Sequence, residues 1–367
     1  MDRRLVGKWY KKEMGETLNI FNEMPLRMKM SFSSSGHYNF EPNCIYEKDG
    51  YFCYEINDDR YRMVYYIKVE NEELVGFYTQ FGKETPIKYV KISDVPDDEP
   101  YQFVPTEIYV PETKESRLDI LKKHSEYSNE ILADDYKTEY VLGEEIPEIL
   151  HKYNYFDYMR DIKSGTDEVA FKLLDFICDN FMHNGSGGTG GKSIEELVDF
   201  CEKHEMKTNC RGLAILLATL LRMNNIKARH ITCKPYEEPF QDCHVVVDCL
   251  LPSGKRIMLD PTNRLYYTDS SGEYVSLERL RQLLILDEPI YHNAGAAYNK
   301  GKFDDKFNRN YMIKNTFRFV RGTFYNNGAE DNTVKRVELI PKGYDTQKFN
   351  DERKKQFIYN DTAFWEM

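Results

Sequence analysis

Three residue types that can together move an acyl group follow one another along this chain: a cysteine, a histidine and an aspartate. Cys210 stands between Asn209 and an almost uninterrupted apolar run at 212–221. A helix that is hydrophobic on every side belongs inside a core. Asn209 is a good N-cap residue, and Asn224 and Asn225 supply a stop after Met223. Cys210 is therefore expected in the first turn of a buried helix, where free backbone N–H groups and the helix dipole favour a thiolate. Buried cysteines are ordinarily inert, so the residues downstream decide what this one does.

Those residues are His244 and Asp260. Residues 242–248 read as a strand carrying His244, and residues 256–262 as a second strand ending in Asp260. Pro252, Ser253 and Gly254 between them are turn residues. A three-residue loop there sets Leu251 opposite Lys255 and Val246 opposite Asp260, which places His244 and Asp260 on one face as diagonal neighbours. A two-residue loop would slip the register by one and separate them. The reading needs the three-residue loop or a bulge nearby, and in it Cys210 is the nucleophile of a thioester acyl-enzyme. His244 pairs with it as imidazolium and exchanges protons, and Asp260 fixes the ring through its other nitrogen. The backbone N–H of Cys210 forms part of an oxyanion hole. A second donor has no clear owner: His204 suits a helix end and Asn209 suits the cap.

The pattern of Cys210, Gly212, Leu213 and Ala214, then Leu220, Leu221 and Arg222, then Ile226 to Arg229, then His244, then Leu259, Asp260, Pro261 and Thr262 resembles the transglutaminase-like superfamily. That group is distantly related to papain-type thiol enzymes. The resemblance implies an α+β fold with a central buried helix against an antiparallel sheet. It implies thiol-dependent acyl transfer on amide or peptide bonds, to water or to an amine, and a protein or peptide substrate bearing a carboxamide; hydrolysis is favoured over transglutamination because water is always present. No cofactor is expected. Arg222 and Arg229 match arginines that recur in the family, and are expected to pair with carboxylates and stitch helix to strand.

Residues 1–92 read as a separate all-β domain. Strand-like runs recur at 6–11, 17–21, 26–32, 37–41, 51–56, 62–69, 73–81 and 87–92, divided by turn residues such as Ser33 to Gly36 and Lys48 to Gly50. About eight short antiparallel strands suffice for a small up-and-down barrel. Gly7, Lys8 and Trp9 resemble the opening of lipocalin-like barrels, which implies an apolar ligand or a docking surface. The alternative is a filled barrel that only scaffolds. A non-catalytic protein in which this barrel binds a ligand or partner is the competing function.

Residues 93–116 hold Pro96, Pro100, Pro105 and Pro111 and read as an acidic linker to a domain spanning 117–367. Residues 93–150 carry 5 basic and 16 acidic groups, which is the whole net charge of −11. The part bearing Cys210 is neutral and offers no basic field for nucleic acid. Helices are expected over 114–133, 144–158, 166–182 and 194–204, the last opened by a capping box of Ser193 and Glu196. A surface loop is expected at 292–310 and strands at 311–324 and 333–340. The glycine-rich stretch from His183 to Ser193 has Ser186 where a phosphate loop needs its first glycine, so it reads as a loop near the site. Cys201, His204, Cys233, Cys243, His244 and Cys249 lack the paired Cys-x-x-Cys spacing of a zinc site, and no loop of the part bearing Cys210 has the oxygen spacing of a calcium site. No run approaches a membrane span, and the first residues lack an apolar signal core. Eight cysteines with no compact spacing are then expected as free thiols of a cytoplasmic protein.

Overall fold

The computed structural model describes residues 3–11, 16–23, 27–32, 38–40, 42, 44–57, 62–80, 83–98, 108–110, 113–131, 133, 136–184, 189, 191–238, 240, 242–327 and 335–367. The turn at Ser33 to Gly36, Pro100, Pro105, Pro111 and, in the glycine-rich stretch, residues 185–188 and 190 lie outside the described residues. The chain forms two compact units, Met1–Glu115 and Ser116–Met367.

The first unit is a curled antiparallel sheet of nine strands: β1 (Gly7–Lys11), β2 (Glu16–Ile20), β3 (Met28–Phe32), β4 (Tyr38–Phe40), β5 (Cys44–Lys48), β6 (Tyr51–Asn57), β7 (Arg62–Glu70), β8 (Glu73–Gln80) and β9 (Lys83–Ser93). Their order, β4-β3-β2-β1-β9-β8-β7-β6-β5, is an up-and-down meander curled into a half-barrel, with β1 against β9. Among the described residues β4 and β5 make no ladder with each other. β5 is the strand beyond the expected eight; its side chains are exposed or half-buried, so it lacks the alternation that marks the others. The core of this unit is a buried cluster that includes Trp9, Leu18, Ile20, Met30, Tyr54, Tyr65 and Ile67.

The Gly7-Lys8-Trp9 opening has a local cause. Gly7 takes φ +135°, and a Cβ there would meet the Ser93 carbonyl oxygen at 2.5 Å, where β1 slips register against β9. Trp9 is buried and donates its indole N–H to the Leu5 carbonyl oxygen at 2.8 Å. The acidic stretch begins docked on this unit. Asp97 pairs with Lys8 at 3.0 Å and Asp98 with Arg27 at 2.7 Å.

The second unit opens with α1 (Arg117–Lys123), β10 (Glu139–Tyr140), α2 (Tyr155–Met159), α3 (Glu168–Asn180), β11 (Met182–His183), α4 (Ile194–Glu202) and β12 (Lys207–Thr208). Then come α5 (Cys210–Met223), β13 (Ala228–Lys234), β14 (His244–Leu250), β15 (Arg256–Leu259), β16 (Tyr267–Thr268), α6 (Leu277–Leu286) and β17 (Tyr291–His292). It ends with α7 (Asp305–Asn315), β18 (Arg318–Gly322), β19 (Phe324–Tyr325), β20 (Arg336–Leu339), α8 (Asp351–Lys354), β21 (Phe357–Ile358) and α9 (Asp361–Trp365). Six strands form the main sheet in the order β15-β14-β13-β18-β20-β21, antiparallel except for the final pair. α5 packs against β13 and β14, and Leu213 to Leu221 are all buried in one core with α3, α4, Val245, Val247 and Leu259.

Helix caps carry several boundaries. Ser193 and Glu196 form the expected capping box of α4, and Ser276 caps α6. The tail of the expected 292–310 loop and the head of the expected 311–324 strand are instead α7. Asp304 accepts from the Phe307 N–H at 2.9 Å, and Asn308, Met312 and Asn315 are buried at helical spacing. The aromatic and β-branched residues of 311–324 favour a strand locally; burial along the helical face wins. The expected helix over 114–133 stops at Lys123, where the His124 N–H closes on the Ile120 carbonyl and His124 Nδ1 contacts the Lys342 carbonyl at 3.0 Å. Among the described residues no helix is long and apolar enough to cross a membrane.

Candidate active site

Cys210 is the first residue of α5, as the cap chemistry requires. Asn209 Oδ1 accepts from the Gly212 N–H at 2.9 Å and also from the Thr189 hydroxyl at 3.3 Å. Gly212 is needed for close approach: a Cβ there would lie 2.2 Å from Thr208 Oγ1 and 2.9 Å from Thr189 Cγ2. The strand leading into the cysteine is thus pressed against the helix that follows it.

His244 is the first residue of β14. The ladder pairs Val247 with Leu259 and Leu250 with Arg256, and the Leu251 N–H reaches the Lys255 carbonyl at 2.8 Å. This is the three-residue loop register, and it carries His244 and Asp260 to one face. His244 Nε2 and Asp260 Oδ2 are 2.8 Å apart, both side chains buried. That leaves Nδ1 for the Cys210 sulfur, with which the ring shares a hydrogen bond. Asp260 is itself held: Thr262 N–H donates to Oδ1 at 2.9 Å and Asn263 Nδ2 to Oδ2 at 2.8 Å.

The electrostatics follow from burial and pairing. Burial alone would push the Cys210 thiol up; hydrogen bonds from His183 and His244, and their charge, outweigh it and bring the pKa down to about 6. Burial would push His244 down; the Asp260 carboxylate, its hydrogen bond and the thiolate raise it to about 10. Against its own desolvation, Asp260 is held below the usual carboxylate range by His244, Asn263 and the Thr262 N–H. Between those values the favoured state is a thiolate–imidazolium pair backed by a carboxylate.

Sequence reasoning missed three neighbours. His183, on β11, shares a hydrogen bond with Cys210. Tyr311, on α7, sets its ring edge-on to His244 at 5.4 Å and donates to Asp242 Oδ1 at 3.0 Å, roofing the imidazole. Asn263 directly follows the Asp260-Pro261-Thr262 run and could have been noticed there. The weaker candidates take structural places. His204 Nδ1 contacts the Phe200 carbonyl at 2.6 Å within the end of α4. Arg222 donates to the carbonyls of Ala228 and Asn326 at 2.9 and 2.8 Å. Arg229 pairs with Asp248 at 3.0 Å, both buried. All eight cysteines are free, and among the described residues no three His, Cys, Asp or Glu side chains converge as a metal ion would require.

Residues 156–261 match the sequence profile of the Transglutaminase-like superfamily. Two solved structures are similar over part of the chain. One is a candidate cysteine protease from Cytophaga hutchinsonii, 20% identical, covering 35% of this chain and 41% of that one, with a TM-score of 0.24. The other is a candidate protease from Parabacteroides distasonis, 12% identical, covering 57% of this chain and 40% of that one, with a TM-score of 0.25. The chain therefore spans about two fifths of the length of either. No curated protein matches it. The matched stretch takes in His183, Cys210, His244 and Asp260 and lies wholly within the second unit.

Proposed function

We propose that this protein is a thiol-dependent acyl-transfer enzyme that cleaves amide or peptide bonds. The observation that carries the proposal is His244, whose ring joins the Asp260 carboxylate at 2.8 Å on one side to the thiol at the start of α5 on the other. The Cys210 thiolate attacks the carboxamide carbon and a C–S bond forms as the carbonyl electrons move onto oxygen. When the C–N bond breaks, the His244 Nδ1 proton passes to the departing amine. Neutral His244 keeps its Nε2 proton toward Asp260 and next takes a proton from water as water attacks the thioester. The C–S bond then breaks, releasing the acid and restoring the ion pair. An amine in place of water would give transamidation; hydrolysis is favoured because water is always present. Free thiols suit a reducing, cytoplasmic setting.

The test is labelling of the full chain with a panel of peptide and glutamine-mimic electrophiles, read by mass spectrometry. Adduct at Cys210 that is lost in His244→Ala, with turnover of the matching peptide amide, is the expected result. A Cys210 that resists every member of the panel, beside a half-barrel that binds an apolar probe, would replace the enzyme with a binding protein.

A further inference from the structure

His183 has no task in the Cys–His–Asp chemistry, yet its placement is tightly fixed. β11 runs parallel to β12 with His183 level with Thr208, two residues before the nucleophile. The Asn184 N–H reaches the Thr208 carbonyl at 2.7 Å, so the backbone is held on both sides of that level. A segment from beyond β17 then clamps the residue. Asn299 Oδ1 accepts the His183 N–H at 2.7 Å, and Asn299 Nδ2 donates to the His183 carbonyl at 2.9 Å. The Tyr298 hydroxyl sits 3.1 Å from His183 Nδ1, with the phenol ring edge-on to the imidazole at 5.7 Å. The same segment holds the other shoulder of the site, since the Ala297 N–H reaches the carbonyl of Asn263, the residue that braces Asp260.

His183 and His244 both act on the Cys210 thiol, and they differ in what stands behind them. His244 is backed by a carboxylate, which suits it to carry positive charge and trade protons. His183 is backed by a neutral phenol. Nδ1 is taken up by the Tyr298 hydroxyl, which leaves Nε2 as the nitrogen for Cys210. A fixed N–H beside the attacking sulfur is what a developing oxyanion requires. We propose that His183 Nε2–H and the backbone N–H of Cys210 together form the oxyanion hole, and that Tyr298 and Asn299 are the positioning residues that aim it. The proposal rests on Cys210 being the nucleophile.

Two reagents separate this role from mere support of the thiolate. Iodoacetamide is attacked at a saturated carbon and loses iodide, so no oxyanion forms. p-Nitrophenyl acetate is attacked at a carbonyl, passes through an oxyanion and releases p-nitrophenolate. Both rates are measured on the full chain at a pH where the thiol is ionised in wild type and variant alike. In His183→Ala, acylation is expected to fall by about 10²-fold while alkylation stays within a few-fold, which also shows that the site is intact. His183→Gln, which keeps an N–H donor, recovers part of the loss, and Tyr298→Phe shows a smaller one. Equal losses in both reactions, or unchanged acylation, overturn the proposal alone. A p-nitrophenolate burst that persists in Cys210→Ala overturns the nucleophile assignment and this proposal with it.

Discussion

Replacing His244 by alanine removes one of the two imidazoles that depress the Cys210 thiol and leaves the burial that raises it. The thiol should move from about 6 to at or above its ordinary value of 9. Three pKa units amount to about 4 kcal/mol of preference for the thiolate. At pH 5 the thiolate fraction would fall by about 900-fold, and at pH 7 by about 90-fold. The rate falls less, because a more basic thiolate is a better nucleophile. With a Brønsted slope of about 0.4–0.5, three units return a factor of about 15–30. The net loss of alkylation is then about 30- to 60-fold at pH 5 and only about three- to six-fold at pH 7. The assay is the iodoacetamide rate at Cys210 followed across pH by mass spectrometry. The physical account fails if the wild-type midpoint lies near 9, or if His244→Ala leaves a low midpoint unmoved.

Turnover of any carbonyl substrate should rise as pH passes about 6, where Cys210 ionises, and fall as it passes about 10, where His244 loses its proton. The linked stability has the same limbs. The raised histidine contributes fully below its unfolded value of 6.5 and loses that contribution as pH rises through about 10; the depressed thiol contributes fully above 9 and loses it as pH falls through about 6. Asp260→Asn presents an amide to the Nε2 proton and favours the wrong tautomer, so kcat should drop by about 10²–10⁴ while circular dichroism shows a retained fold. Gly212→Ala gains helix propensity of about 1 kcal/mol but drives a methyl into Thr208 and Thr189. Overpacking of about 1–3 kcal/mol should win, seen as a lower Tm and slower Cys210 labelling.

Much of the site was legible because local chemistry carried it. An N-cap followed by an apolar run located the start of α5; the sequence marked a turn at Pro252 to Gly254 but left its length open, and the ladder supplies the three-residue register that joins His244 to Asp260. His183 was not legible. Its strand is two residues long, and its meaning comes from Tyr298 and Asn299, which are far along the chain. Tyr311 was hidden by composition, since the residues around it alternate like a strand and only the Asp304 cap and the buried Asn308 face make them a helix. In the first unit the half-barrel strands were readable where burial alternates, as in β1, and β5 was lost because neither face of it is buried.

The other cysteines of the second unit show what sets Cys210 apart. Burial raises Cys178, Cys201 and Cys243 to about 12 and drives Cys233 and Cys249 well above the ordinary value. Burial acts on Cys210 in the same direction and is overcome by two histidines. Position at a helix start therefore does not have to explain the depression unaided; the imidazoles do. At pH 6.5 a thiol at about 6 is about three-quarters ionised, whereas one at about 12 is ionised to about three parts in a million. After the nucleophilicity correction the rate ratio is still several hundredfold. In a Cys44→Ser background, which removes the exposed thiol of the first unit, brief iodoacetamide treatment at that pH should modify Cys210 and spare the five others of its unit. Comparable labelling of Cys178 or Cys243 would mean that the sulfur at the start of α5 is not electrostatically distinct, and neither the ion pair nor the chemistry built on it would stand.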